Sequence, residues 1–493
     1  MKLFKPFLLA LAIALPALSA AGASAGVTFT TLMEFRQNLN DPIGYSPFGL
    51  IKGSDGNIYG TTIDDPPAQV GGGYVFGAVF KITPDGALTA VAYFTDSSGA
   101  YNTVTQGADG QLYGTTSAGG SGYSGTVFQV TTNGLIDTLL SFGSYSTSCD
   151  CTPDGISPMA PLVQGNDGNF YGTANQGGSG ASHTFGVVFC VATNGAYTNL
   201  VSFTGANGAD PWFSGLVLGA DGNFYGTTRL GGATYNPSAN NLGDGTIFRV
   251  ATNGTFTTLV SFNGANGQEP FSGVVLGKDG NLYGTTSQGG QSGYGTVFQL
   301  QVSGPLVNLN VMHSFTSPEG AEGTNTDGYG PVGALLVGID GNLYGTASGG
   351  GAYGWGTIFQ MQTNGTFTTL YSFTGGSDGG NPESALVQGN DGNFYSATYT
   401  GGSATPDPAG TIFRLSIGPS PPVFETVTQT NGTLTLTWSA VAGQKYQLEY
   451  AASLAGTNWT NLGSAITATN STGTASDTIG PGLQRFYRLL LLP

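Results

Sequence analysis

Charge is scarce in this chain. Only 8% of its 493 residues are Asp, Glu, Lys or Arg, and just 12 are Lys or Arg. With 28 acids the net charge is −16. That excludes a nucleic-acid surface, because binding phosphate needs clustered Lys and Arg, and it argues equally against an anionic membrane. Cysteine occurs three times, at 149, 151 and 190. An odd count is no disulfide framework, although a bridge from Cys190 to Cys149 or Cys151 stays open. Histidine occurs twice, as His183 and His313, and neither shows metal-ligand spacing.

Long apolar runs are also missing. Phe7 to Leu18 is interrupted by Pro16, and a bilayer span needs about 20 residues. Lys2 and Lys5 precede this run and Ala23-Ser24-Ala25 follows it. A basic start, an apolar stretch and an A-x-A site read as a signal peptide over residues 1–25. The mature chain is therefore expected to be secreted, outside the cell or on its surface, with no membrane span.

Glycine is abundant, with 84 residues, alongside 29 Phe and 23 Tyr. Hydrophobic residues reach 39%, which suits a folded, turn-rich β protein better than a disordered one. A search for repeats is rewarded. The phrase Asp-Gly-Asn/Gln-apolar-Tyr starts at Asp55, Asp109, Asp167, Asp221, Asp279, Asp340 and Asp391. Gly-x-Val/Ile-Phe ends at Phe80, Phe128, Phe189, Phe248, Phe298, Phe359 and Phe413. A third aromatic recurs at Phe35, Phe94, Phe142, Phe203, Phe262, Phe315 and Phe373.

Each unit reads as four short antiparallel strands, with tight hairpin turns at Asp-Gly and Asn-Gly where both turn residues need positive φ. Four strands per unit of about 50 residues is the signature of propeller blades. The order at the ends carries the argument further. Phe29 to Phe35 is a fourth strand with no blade before it, and Gly410 to Ile417 is a third strand with no fourth after it. The expected fold is all-β: a seven-bladed β-propeller over residues 27–417, closed by its N-terminal strand. Closure pairs backbone groups that an open edge would expose.

After a Pro-rich linker at 418–422, residues 423–493 carry alternating strands and read as a small C-terminal β-sandwich. The run Leu434 to Trp438 and the pattern Tyr446-x-Leu-x-Tyr450 resemble a bacterial fibronectin type III-like module. Such modules usually act as spacers or surface adaptors.

The short turns are nearly uniform between repeats, whereas the loops on the other face vary. Function concentrates on variable loops held by a rigid scaffold. The candidate face spans 41–47, 64–74, 144–161, 210–213, 235–244, 269–271, 318–329, 353–355 and 378–383. Asp210 and Glu269 stand at equivalent positions before Pro211 and Pro270, and Trp212, Tyr353 and Trp355 supply aromatic faces on which a sugar could stack. These five are the candidate ligand-binding residues. The competing readings are a tryptophan capping an apolar rim and a carboxylate solvated in a loop.

No catalytic residues, cofactor or metal are expected. Neither histidine stands near an obvious nucleophile, no nucleophile elbow is expected, and no carboxylate pair is singled out for glycoside hydrolysis. The acidic balance leaves room for calcium, but one Asp per turn does not supply its ligand set. The repeated aspartates are read as turn formers and the repeated tyrosines as core.

The seven units resemble the GloVer tandem repeat, carried by Asp221-Gly222-Asn223-Phe224-Tyr225-Gly226-Thr227-Thr228 with Gly245-Thr246-Ile247-Phe248 and their six counterparts. The seventh unit departs, with Ser396-Ala397 for Gly-Thr. The resemblance implies an exported bacterial protein, often ending in a sorting anchor, whose place the sandwich takes here. It implies no established activity. The leading expectation is thus a non-enzymatic binding or adhesion scaffold for an extracellular polysaccharide or surface protein. A secreted carbohydrate-active enzyme and a purely structural envelope component are the alternatives.

Overall fold

The computed structural model describes residues 26–492 except 37–44, 64–67, 71–72, 96–99, 101–102, 132–133, 144–151, 179–184, 305, 404–407, 419–421, 423, 431, 441–442, 453–458 and 479–484. The signal peptide, most of the Pro-rich linker, His183, Cys149 and Cys151 fall outside the described residues. The chain forms two compact units, Phe29–Ser416 and Ile417–Pro493, the latter grouped with the residues before Phe29. Strands dominate both. One 3-10 turn, Pro237–Ala239, is the sole helical element among the described residues, and no helix is long and apolar enough to cross a membrane.

The larger unit contains seven four-stranded sheets, numbered 1 to 7 in chain order, whose strands lie within residues 45–93, 105–141, 163–202, 217–261, 275–314, 336–372 and, with 27–36 added, 387–417. Sheet 4 shows the pattern: Val217–Leu218, Phe224–Thr228, Thr246–Val250 and Phe256–Ser261, each antiparallel to the next. Its second strand is buried along its whole length, while the fourth is half-exposed. Glycine and phenylalanine fix this packing together. Gly226 lies opposite Phe248, and a methyl group on Gly226 would stand 2.7 Å from the Phe248 ring. The same pairing recurs at Gly60 with Phe80 and at Gly284 with Phe298. Beside it, Thr228 and Thr246 share a buried hydroxyl–hydroxyl bond of 2.8 Å.

The first turn of each sheet differs from the two-residue hairpin expected. Gly222 sits at φ +79°, but no turn Asp has positive φ. The Gly222 N–H donates to the Gly219 carbonyl, and the Gly219 N–H donates to that of Asn223. This is a type I turn followed by a left-handed glycine. The aspartate side chain is the reason. Asp221 Oδ1 accepts the Asn223 backbone N–H at 3.1 Å, which holds Asp221 out of the left-handed region. Its Oδ2 accepts from the Asn223 side chain at 2.7 Å and from the Tyr225 hydroxyl at 2.9 Å. The repeated Asp is therefore a turn former and also the anchor of a buried tyrosine. Six other units repeat the Tyr–Asp bond at 2.6 to 2.9 Å.

Successive sheets pack face to face. Tyr113 of sheet 2 lies 4.1 Å from Phe170 of sheet 3, and Tyr171 of sheet 3 lies 4.1 Å from Phe224 of sheet 4. Tyr344 of sheet 6 lies 4.3 Å from Phe394 of sheet 7. Sheet 7 joins both ends of the unit: Val27–Arg36 pairs beside Pro408–Ile417, followed by Phe394–Thr398 and Val387–Gln388. One buried cluster unites Leu50, Ile58 and Phe80 of sheet 1 with Tyr395, Ala397 and Ile412 of sheet 7. The departure at Ser396 fits its place. Its buried hydroxyl donates to the carbonyls of Ser384 and Ala385.

The smaller unit has two antiparallel sheets. Phe424–Thr430, Thr433–Ser439 and Thr472–Thr478 form one, and Lys445–Ala451 pairs with Phe486–Leu492, Thr460–Asn461 and Ile466–Thr467 in the other. Leu434, Leu436, Leu448 and Tyr487 share a core, as do Trp438 and Tyr446.

Candidate functional site

The loops entering the first strands share a corner. Ser46, Ser157, Asp210, Glu269 and Asn381 each precede a proline and each have φ between 50° and 53°. Left-handed backbone is costly for a non-glycine residue and must be held by its surroundings. Here it is held twice. The Asp210 N–H donates to the Phe185 carbonyl, and the Asp210 carbonyl accepts from the Arg229 N–H. Glu269 repeats this with Asp244 and Ser287, and Asn381 with Trp355 and Tyr399. At Ser157, Asp210, Glu269 and Asn381 the corner ties its own sheet to the loop of the sheet before. Its strain belongs to the scaffold.

In sheet 4 the corner carries charge. Arg229, just past the second strand, places Nη2 2.7 Å and Nε 3.0 Å from Asp210 Oδ2, and Nη1 4.0 Å from Glu269 Oε2. Its guanidinium also lies 5.0 Å from the Trp212 ring centroid and 5.5 Å from that of Phe271. Three of the five predicted residues, Asp210, Trp212 and Glu269, thus converge on an arginine that sequence reasoning passed over. The equivalence of Asp210 and Glu269 was legible in the sequence; what it leaves out is the cation, Arg229, that sits between two carboxylates from neighbouring loops. Desolvation raises the Asp210 carboxyl above its usual range, and Arg229 only partly offsets it. A cleft of about 340 Å³ opens here, walled by Phe185, Trp212, Tyr235 and Leu242, with Gln176, Asp210 and Arg229 as polar groups. Planar donors beside aromatic faces suit a hydroxylated ligand.

Tyr353 and Trp355 lie elsewhere, between the second and third strands of sheet 6. Both are exposed. Gly375 and Gly380 approach the Trp355 ring so closely that a methyl on either would clash.

A second cavity, of about 320 Å³, takes Phe48, Thr103, Pro161, Phe213, Phe271, Val332 and Glu383 from the entry to each of the seven sheets in turn. Sequence reasoning named 210–213, 269–271 and 378–383 as variable loops but did not bring them together.

Other candidates resolve structurally. Gly375-Gly376-Ser377-Asp378-Gly379 matches the Gly-x-Ser-x-Gly pattern by letter, contrary to expectation, but no helix follows it. It is a loop in which Asp378 accepts from Thr374 and Tyr371. His313 Nε2 lies 3.0 Å from Asp327 Oδ2 while its ring stacks on Phe367 at 3.9 Å. Cys190 is a free thiol, half-buried beside Tyr171, with its pKa raised by desolvation. Among the described residues, no three His, Cys, Asp or Glu side chains gather as a metal ion would require.

Among solved structures the chain is similar to a protein of unknown function from Dyadobacter fermentans, at 11% identity and a TM-score of 0.41, over 80% of this chain and 99% of that one. It is similar also to the PQQ-bound aldose sugar dehydrogenase of Streptomyces coelicolor, at 12% identity and a TM-score of 0.36, over 80% and 100%. These likenesses assign this chain no chemistry. They do not support the expectation of a non-enzyme, which is withdrawn: an enzyme stands among them. No curated protein matches the chain. The model of the Gloeobacter/Verrucomicrobia repeat matches residues 145–326 and 321–435, more than half of the sequence. The chain belongs to the Gloeobacter/Verrucomicrobia repeat family.

Proposed function

We propose that this protein is an exported, closed seven-bladed β-propeller whose variable-loop face binds extracellular polysaccharide, followed along the chain by a fibronectin type III-like spacer. Closure is supported by the strand Val27–Arg36 in sheet 7, by the cluster joining sheets 7 and 1, and by the cavity to which all seven sheets contribute. The convergence of Asp210 and Trp212 on Arg229 at the mouth of an aromatic-walled cleft carries the binding reading. Sugar rings present apolar C–H faces to aromatic walls and paired hydroxyls to a planar guanidinium or carboxylate.

The test is binding and turnover of the whole protein on neutral and acidic polysaccharides, with and without calcium. Saturable binding that weakens about tenfold or more in Arg229→Ala and Trp212→Ala, a loss of about 1.4 kcal/mol, supports the reading. Released oligosaccharide would make the cleft a site of chemistry as well as of binding. Binding to no polysaccharide, or binding unchanged in both variants, overturns it.

A further inference from the structure

The second cavity is chemically distinct from the Arg229 cleft. Three of its walls are phenyl rings, Phe48, Phe213 and Phe271, drawn from sheets 1, 4 and 5. Most of the remainder is small or apolar, including Pro161, Val332, Ala334 and Ala385. Glycines let the sheets approach closely around it. A methyl on Gly273 would stand 2.0 Å from the Gly215 carbonyl, and one on Gly49 would stand 2.5 Å from Thr103.

Two polar groups break the apolar lining. Glu383 reaches solvent within the cavity, yet protein crowds it enough that desolvation raises its pKa. No Lys, Arg or His pairs with it among the described residues. Ser272 is 3% exposed, and its hydroxyl has no hydrogen-bond partner among the described residues. Glu383 thus offers a carboxylate without a counter-ion to a cavity walled by phenyl rings, a place that a cation can fill. Arg229 does not fill it. It lies near the Phe271 ring, but its charge is engaged by Asp210 and Glu269.

We infer that this cavity is a binding site for a small organic cation, an ammonium group carrying apolar substituents. The ammonium pairs with Glu383. Its substituents lie among the phenyl rings, whose faces also attract cations. A neutral ligand of the same shape leaves the carboxylate unpaired, and an anion is repelled. The volume of about 320 Å³ limits the occupant to roughly the size of a benzylammonium ion.

The experiment is calorimetric titration of the full chain at pH 8 with benzylammonium, with benzyl alcohol and benzoate as its neutral and anionic counterparts. The expected result is one saturable site for benzylammonium, at least tenfold weaker binding of the other two, and a loss of tenfold or more in Glu383→Gln. Phe271→Leu should weaken binding while leaving the melting temperature close to that of the parent. Equal binding of benzyl alcohol, no binding of benzylammonium, or full affinity in Glu383→Gln overturns the inference. The Glu383→Gln change is isosteric and leaves the Arg229 cleft intact, so polysaccharide binding by the same variant separates this site from the one proposed above.

Discussion

At the scale of single residues, one aspartate does three jobs in every unit. It shapes the turn, caps the following backbone N–H and accepts a buried tyrosine hydroxyl. Asp221→Ala is therefore expected to destabilise by about 1–3 kcal/mol, since it removes the acceptor of the Tyr225 hydroxyl together with both bonds to Asn223 that set the turn. Tyr225→Phe should cost only about 1 kcal/mol, because Asp221 keeps its other donors and some solvent. Urea unfolding of both variants checks the order, and a larger loss for Tyr225→Phe would contradict it. Gly226 offers a second test. A methyl there stands 2.7 Å from Phe248, so Gly226→Ala should cost about 1–3 kcal/mol by overpacking. Phe248→Leu in the same chain should recover part of that loss.

At the scale of elements, the strand Val27–Arg36 is the longest-range connection in the larger unit. It pairs with a strand some 380 residues away in sequence. Phe29 stacks on Tyr371 at 4.1 Å and on Phe413 at 5.1 Å, and Ser403 donates to Glu34. Removing residues 27–36 exposes one edge of Pro408–Ile417 and part of the core around Phe413. Such edges promote association. A truncated protein is expected to melt at lower temperature and to self-associate in sedimentation, whereas a monomer of parental stability would show that the strand is dispensable. The repeat was legible from phrases of a few residues, because Asp-Gly, Tyr-Gly-Thr and Gly-x-Ile-Phe each encode a local backbone demand. The turn type was misjudged, since what decides it is the Asp side chain accepting the N–H two residues on, and the dipeptide alone does not specify this.

At the scale of the whole molecule, pH dependence follows from the repeated bond. Desolvation opposes ionisation of Asp55, Asp109, Asp167, Asp221, Asp279 and Asp391, but hydrogen bonds from Tyr and Asn or Gln outweigh it and hold these carboxyls below their usual 3.8. The stability they supply is present above about pH 4 and lost as pH falls through the depressed values. Their partners are shifted the other way. Desolvation and the adjacent carboxylate push Tyr59, Tyr113 and Tyr395 up to about 12. Their contribution is complete below pH 10 and lost as pH rises from 10 through about 12. A plateau between these limits is expected in melting temperature against pH. Tyrosinate absorbance should lag the free-tyrosine curve and rise with alkaline unfolding, and a curve following free tyrosine would show that the bonds do not form in solution.

The sequence alone determined the repeat count, the four-strand unit, the strand order at the ends and the identity of the buried aromatics. All of these are short-range demands: a glycine under a ring, a turn capped by its own side chain, or alternation set by burial. Tertiary structure decided what no short window contains. It brought Arg229 to Asp210, Trp212 and Glu269, which lie in the entry loops of two different sheets, and kept Tyr353 and Trp355 apart from them. It also collected one stretch from each of seven sheets, with Glu383 among them, around a single cavity. Sequence spacing fixes which loop a residue belongs to, but only the packing of one sheet on the next fixes which loops meet.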